Sequence, residues 1–244
     1  MARSYHSFKF KDSNFRICCR QVPVACNEIV RQREILEEYI LRQPDFMTSL
    51  TPLMPLPDAP EIAIDMCESA ARAAVGPLAA VAGAIAERAV RAALAAGDDE
   101  AIVENGGDIF AASRQSLTIA LHAGEDSPFN RLAFKLEAAD MPRAICSSSS
   151  HLGHSLSLGN CDLATVIAQN AALADAAATK LCNMVRSNGD MDAALQYITS
   201  IDGIDGALVI NHGHIGLLGE LPELIRNNDQ NTERKITRDP LSKA

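Results

Sequence analysis

From Ala73 to Ala86 the chain is almost wholly small and apolar, reading Ala73-Ala74-Val75-Gly76-Pro77-Leu78-Ala79-Ala80-Val81-Ala82-Gly83-Ala84-Ile85-Ala86. It stops at Glu87 and Arg88 after about 14 residues, short of the roughly 20 that span a bilayer, which predicts a buried helix and no membrane anchor. Side chains this small let another backbone, or a ligand, approach closely. Gly76-Pro77 breaks the run, so one helix is expected to start near Pro60 and another to cover Leu78 to Ala96. A second alanine-rich helix is expected from Ala171 to about Arg186, with Asn170 as its N-cap.

The 244 residues correspond to one large domain or two small lobes. With 48% hydrophobic and 22% charged residues the chain can bury a substantial core, and its formal charge of −9 excludes a wide phosphate-neutralising face for nucleic acid while leaving room for a small-anion pocket. Residues 1–20 are polar and charged, without the apolar core of a secretory signal. Seven scattered cysteines, at 18, 19, 26, 67, 146, 161 and 182, offer neither a disulfide framework nor paired C-x-x-C zinc spacing. Reduced thiols and a cytoplasmic location are expected.

Tyr5 to Phe10 and Phe15 to Arg20 alternate about a Lys11–Asn14 turn and predict a hairpin. A helix is expected from Asn27 to Leu41, followed by an extended, proline-rich connection over residues 43–60. Strand-like runs at Ala101 to Val103, Ile109 to Ala112 and Leu117 to His122 predict a hairpin meander. Further strands are expected at 131–136, 143–146 and 162–168, with a serine- and glycine-rich loop from Ser147 to Asn160. A short helix at Met191 to Ile198 and a hairpin at 206–217 complete an α+β pattern, with residues 1–226 as one domain and 227–244 as a tail.

Asp175 and Thr179 stand one helical turn apart, so a carboxylate and a hydroxyl share a face, a pair of hard oxygens suited to Mg²⁺. The plainer alternative has Asp175 supporting its own helix start and Thr179 bonding the carbonyl a turn back. Asn105-Gly106-Gly107-Asp108 either brings backbone amides against a ligand or is only a hairpin turn. The run Cys146-Ser147-Ser148-Ser149-Ser150-His151-Leu152-Gly153-His154 offers hydroxyls and imidazoles for a phosphate or a general base, or is a linker. His212 and His214 could share one strand face and bind a metal, but Asn211-His212-Gly213 reads as a turn and they are left out of the site, and adjacent Cys18 and Cys19 read as packing residues on opposite strand faces.

Taken in order, the small-residue segment Gly76 to Glu87, the turn Glu104-Asn105-Gly106-Gly107-Asp108-Ile109 and the helix Leu173-Ala174-Asp175-Ala176-Ala177-Ala178-Thr179 resemble the uncharacterised bacterial and archaeal family related to ApbE. ApbE proteins are flavin transferases, once called thiamine biosynthesis lipoproteins. The resemblance runs over most of residues 5–220 and implies an ApbE-like fold of two intertwined lobes, with largely antiparallel sheets and packed alanine-rich helices.

It further implies that Asp175 and Thr179 ligate Mg²⁺, that Ala82, Gly83 and Ala84 lie where the family supplies a backbone ligand, and that Asn105, Gly106, Gly107 and Asp108, with Ser148 and Ser149, line the site of FAD or FMN. His154 falls near the family's histidine and stands as the catalytic base. Two departures are plain: Ser155-Leu156-Ser157-Leu158 follows His154 where ApbE has apolar residues and Asp-Pro, and Glu87 stands where ApbE has lysine. The implied activity is Mg²⁺-assisted chemistry on FAD or another nucleotide-like diphosphate, transferase-like or pyrophosphatase-like, with a flavin or nucleotide as small-molecule partner and an unidentified protein acceptor. The alternative is a protein that binds a flavin, pterin or nucleotide without turnover.

Overall fold

A computed structural model describes residues 3–124, 127–150 and 159–227. The chain opens with strands β1 (His6–Phe10) and β2 (Ser13–Cys18), the expected hairpin, paired antiparallel from His6↔Ile17 to Phe10↔Ser13. Helix α1 (Val22–Arg42) starts ahead of the expected Asn27. Pro23 sits in its first turn, where a missing N–H costs nothing, and Asp98 Oδ2 accepts the Gln21 N–H at 2.9 Å just before it.

The proline-rich connection is not wholly extended. A single helical turn, α2 (Asp45–Thr48), forms where the prolines had argued against one, because it buries Phe46 completely, edge-on to Tyr39 with ring centroids 5.1 Å apart. Helix α3 (Glu61–Ala73) follows, then a 3-10 turn over Pro77–Ala80 and helix α4 (Val81–Ala95). Among the described residues no single helix is long and apolar enough to cross a membrane, and the segments Glu61–Ala73 and Pro77–Ala95 bend by 103° about the break at Gly76.

The remaining elements are β3 (Ala101–Asn105), β4 (Asp108–Ala112), β5 (Leu117–Ala120), β6 (Leu132–Leu136), β7 (Arg143–Ser148), β8 (Leu163–Ala168), α5 (Ala171–Met184), α6 (Met191–Thr199), β9 (Ile204–Asn211), β10 (His214–Gly219) and β11 (Glu223–Arg226). Eight strands form one sheet in the order β1-β2-β3-β4-β7-β8-β9-β10, antiparallel throughout, and β11-β6-β5 form a second. This is the α+β class that the element order predicts.

The expected meander breaks after its first hairpin. β3 and β4 pair as expected, but β4 gives its other edge to β7, with Ile109 opposite Ile145, while β5 pairs with β6, Leu117 opposite Leu136. Alternation explains the departure: Leu117 and Ile119 are buried while Thr118 is exposed, and the buried pair joins Ile102, Ile145, Ile167 and Leu208 in a core on the far face of the large sheet. β11 adds to β6 in the stretch after Pro222, and residues 228–244, most of the expected tail, lie outside the described residues.

The other face of the large sheet carries the helices, over a core that includes Met66, Ile85, Phe110, Val166 and Leu181. β8, covered on both faces, is buried at all six positions. Cys18 and Cys19 go to opposite cores as expected, Cys18 under the small sheet and Cys19 against the helices. All seven cysteines are free thiols.

Candidate active site

The small residues of the opening run bring α4 and α5 into backbone contact. A Cβ on Gly83 would lie 2.2 Å from the Ala171 carbonyl oxygen and 3.0 Å from Asp175 Cβ, so no other residue permits this crossing. At the crossing each helix caps the other. Asp175 on α5 accepts the Gly83 N–H at 2.9 Å and the Ala82 N–H, in the first turn of α4. Glu87 on α4 accepts the Ala171 N–H at 2.7 Å, at the start of α5, where Asn170 also takes the Leu173 N–H at 2.7 Å as expected. Amides that a helix start leaves without internal partners are thus met by carboxylates placed at the positive end of the dipole.

This revises the plainer reading of Asp175, which supports the start of α4 and not of its own helix. It revises that of Thr179 as well: the side chain is 8% exposed and its hydroxyl forms no hydrogen bond among the described residues, to the carbonyl a turn back or otherwise.

The β3–β4 hairpin supplies the facing wall. Gly106 and Gly107 form its two-residue turn at φ +66° and +115°, with Asn105 opposite Asp108. The hairpin reading of this sequence is therefore right, and the turn also reaches α4, Asn105 Nδ2 donating to the Ala82 carbonyl at a long 3.4 Å. Asp108 is buried. It accepts hydrogen bonds from the Cys146 thiol and the Ser147 N–H, yet its Oδ1 has no partner among the described residues. Ser148 Oγ, at the end of β7, is likewise buried without one.

Burial pushes the Asp108 carboxyl up to about 7, opposed by the Cys146 and Ser147 hydrogen bonds. Burial first, and then the Asp108 charge, drives Asp175 well above the ordinary carboxylate range, against the lowering effect of the Gly83 and Ala82 amides. Cys146, whose sulfur is 3.6 Å from the Ala171 carbonyl, is raised by burial and then by both acids, so it is a neutral thiol between them. Two acids thus share a dry site with no cation paired to either among the described residues.

Ala82, Gly83, Asn105, Asp108 and Asp175 are joined by these contacts, and Thr179 follows Asp175 on the same helix face. Gly107 lies 3.7 Å from the Ser147 carbonyl, measured from where its Cβ would stand. Ala84 is buried in α4 beyond the contact, Ser149 is buried and engaged, and His154 lies outside the described residues. His212 and His214 are exposed on the β9–β10 hairpin and bond Asn160 and Asn188. Spacing gave no sign of Glu87 as a cap or of Cys146 as the group between the acids; both depend on pairings across 84 and 38 residues, from 171 − 87 and 146 − 108.

The donor set fits a hard divalent cation. An unpartnered carboxylate oxygen on Asp108, a second carboxylate on Asp175, the Thr179 hydroxyl and the Ala82 carbonyl are all oxygens. Mg²⁺ binds through one or two carboxylates, waters and phosphates, a demand that two carboxyl groups, a hydroxyl and a carbonyl can meet.

Residues 10–203 match the protein-family model described as "AbpE bacteria". The chain belongs to this family. Among its relatives are UPF0280 proteins of methanogens: that of Methanococcus aeolicus is 36% identical over 215 residues, covering 86% of this chain and 87% of the relative, and that of Methanocella arvoryzae is 39% identical over 204 residues, covering 84% and 83%. Among solved structures the fold is similar to flavin transferase ApbE from Vibrio cholerae, in its H257G mutant, with a TM-score of 0.57 at 13% identity over 90% of this chain and 97% of that one. Apo flavinyl transferase ApbE from Pseudomonas stutzeri gives 0.52 at 13% identity over 89% and 95%. The AbpE family and ApbE thus share a fold.

Proposed function

We propose that this protein is a Mg²⁺-assisted enzyme acting on FAD or a similar nucleotide diphosphate, by transfer or by hydrolysis. The observation that carries the reading is the pair of buried acids Asp108 and Asp175, raised together and with no cation paired to them among the described residues, at a glycine turn and a helix N-terminus. Burying two such groups is costly unless something binds there, and ApbE-like architecture is what this pair is built on.

Asp175 and Thr179, with the Ala82 carbonyl, would hold Mg²⁺, which supplies charge neutralisation on the diphosphate when bound. The Gly106-Gly107 turn lets the ligand's phosphates approach the backbone, and Ser148 and Asp108 offer the ligand a hydroxyl and an acceptor oxygen. In the reaction a hydroxyl, of water or of an acceptor side chain, bonds to phosphorus, the P–O bond to AMP breaks, and the proton of that hydroxyl passes to a base, the role assigned to His154.

One observation favours a second reading, binding without turnover: Glu87 places a carboxylate beside the diphosphate region, committed to the Ala171 N–H and to Arg91 at 2.6 Å. A single assay separates the two. Incubation with FAD and Mg²⁺ is expected to release AMP and FMN with saturation kinetics, and Asp175→Asn to abolish the release. Saturable FAD binding with no AMP formed establishes the second reading instead.

A further inference from the structure

Four serines stand in a row at the end of β7, and three of them are engaged. Ser147 Oγ pairs with Thr165 Oγ1 at 2.9 Å, Ser149 has a partner, and Ser150 Oγ accepts the Cys161 N–H at 3.0 Å. Ser148 is 6% exposed, and its hydroxyl has no partner among the described residues. A buried hydroxyl left in this way is a standing cost unless a bound group meets it.

The place of Ser148 along α5 follows from its neighbours. It lies opposite Ala164 of β8, which belongs to the helix-side core, so its side chain is on the sheet face that α5 covers. Two residues before it, Cys146 Sγ is 3.6 Å from the Ala171 carbonyl oxygen; two residues after it, Ser150 Oγ is 3.4 Å from Cys182 Sγ. From 146 to 150 the strand advances about 13 Å at roughly 3.3 Å per residue, and from 171 to 182 the helix advances about 16 Å at roughly 1.5 Å per residue. Ser148, at the midpoint, therefore stands beside the middle of α5, the stretch that carries Asp175 and Thr179. On its other side Asp108 is tied to the adjacent Ser147 N–H.

We propose that Ser148 is the nucleophile of this site and carries FMN covalently between donor and acceptor. The inference rests on the function proposed above and adds a residue and an intermediate to it. In the first step the Ser148 oxygen bonds to the phosphorus on the FMN side of the diphosphate, and the bond from that phosphorus to the bridging oxygen breaks. The serine proton, by way of the base, ends on the bridging oxygen, which leaves as part of AMP. In the second step the oxygen of water, or of an acceptor's hydroxyl, bonds to the same phosphorus, the Ser148 ester breaks, and the incoming proton returns to the Ser148 oxygen. One intermediate thus serves hydrolysis and transfer alike, and the hydroxyl that reaches it decides which follows. Burial suits the first step, because a site this dry offers the serine little competition from water. Thr179, the other buried hydroxyl on this stretch, is taken up by the cation in the proposed site.

Rapid mixing of the full chain with FAD and Mg²⁺, followed by acid quenching and intact-mass measurement, tests this. The expected result is a burst of about one AMP per protein ahead of FMN, with an adduct of one FMN less one water that maps to the peptide containing Ser148. Ser148→Ala is expected to keep its melting temperature and to bind FAD within about twofold, while the adduct disappears and AMP release falls at least about a hundredfold. Ser148→Thr, which keeps a hydroxyl, is expected to restore part of both. AMP release at an unchanged rate in Ser148→Ala, or AMP formed by the unaltered protein with no adduct at any quench time, overturns the inference and leaves the proposed function standing. A loss of FAD binding in Ser148→Ala as large as the loss of AMP release assigns the hydroxyl to holding the ligand and also overturns it. Absence of AMP release by the unaltered protein overturns the enzymatic reading and the inference with it.

Discussion

Asp175 and Glu87 do the same thing to a backbone and live in opposite electrostatic circumstances. Each accepts an N–H in the first turn of the other's helix, at 2.9 and 2.7 Å. Glu87 also has Arg91 at 2.6 Å, a turn along its own helix. Asp175 has no paired cation among the described residues, and the charge of Asp108 drives it further up. A carboxylate that only caps is served by the Glu87 arrangement. The Asp175 arrangement is worse for stability, and under the proposed function it is the one suited to receive a positive ion.

The crossing that both caps depend on is the most fragile point. Gly83→Val is expected to destabilise the protein by at least about 3 kcal/mol, read from denaturant unfolding, since the new side chain must displace the Ala171 backbone. A loss below about 1 kcal/mol contradicts a close crossing.

The acids come next in size. Without a divalent cation the folded protein holds protons on Asp108 that the unfolded chain has released, between the ordinary carboxylate value near 4 and about 7. Stability from this group is fully present below about pH 4 and is lost as pH rises toward 7. The higher position of Asp175 acts with the same sign and extends the loss upward. The total is on the order of a few kcal/mol, and unfolding across that range with EDTA measures it. Saturating Mg²⁺ is expected to flatten the decline, and a stability that rises over the same interval in EDTA contradicts the assignment.

Substitutions then set the two carboxylates apart. Glu87→Ala leaves the Ala171 N–H without its acceptor and is expected to cost about 1–2 kcal/mol while keeping the Mg²⁺-dependent shift in melting temperature. Asp175→Asn keeps an acceptor for Gly83 and removes a buried acid, so its stability in EDTA is expected to change by less than about 1 kcal/mol, while the Mg²⁺ response disappears. The same response in both variants erases the contrast.

What could be read from the chain beforehand was what local spacing controls. The i, i+4 placement of Asp175 and Thr179, the Gly106-Gly107 turn and the Asn170 cap follow from a few neighbouring residues, and all three are present. The departure of β5 to a second sheet was hidden, because Leu117 and Ile119 alternate equally well for either partner and only the face of the large sheet left uncovered by helices decides between them. The burial of Phe46 against Tyr39 overrode the prolines around it in the same way. Within the site, the reciprocal capping and the neutral thiol of Cys146 between two acids arise from long-range packing and leave no local signature.

The central claim is that Asp108 and Asp175 are held protonated for a cation to discharge. Calorimetric titration of Mg²⁺ with FAD near pH 6.5, repeated in buffers of different ionisation enthalpy, counts the protons expelled on binding. The account predicts release of at least about half a proton per site, reduced in Asp108→Asn and in Asp175→Asn. Binding of Mg²⁺ and FAD with no proton release, unchanged in both variants, would contradict it.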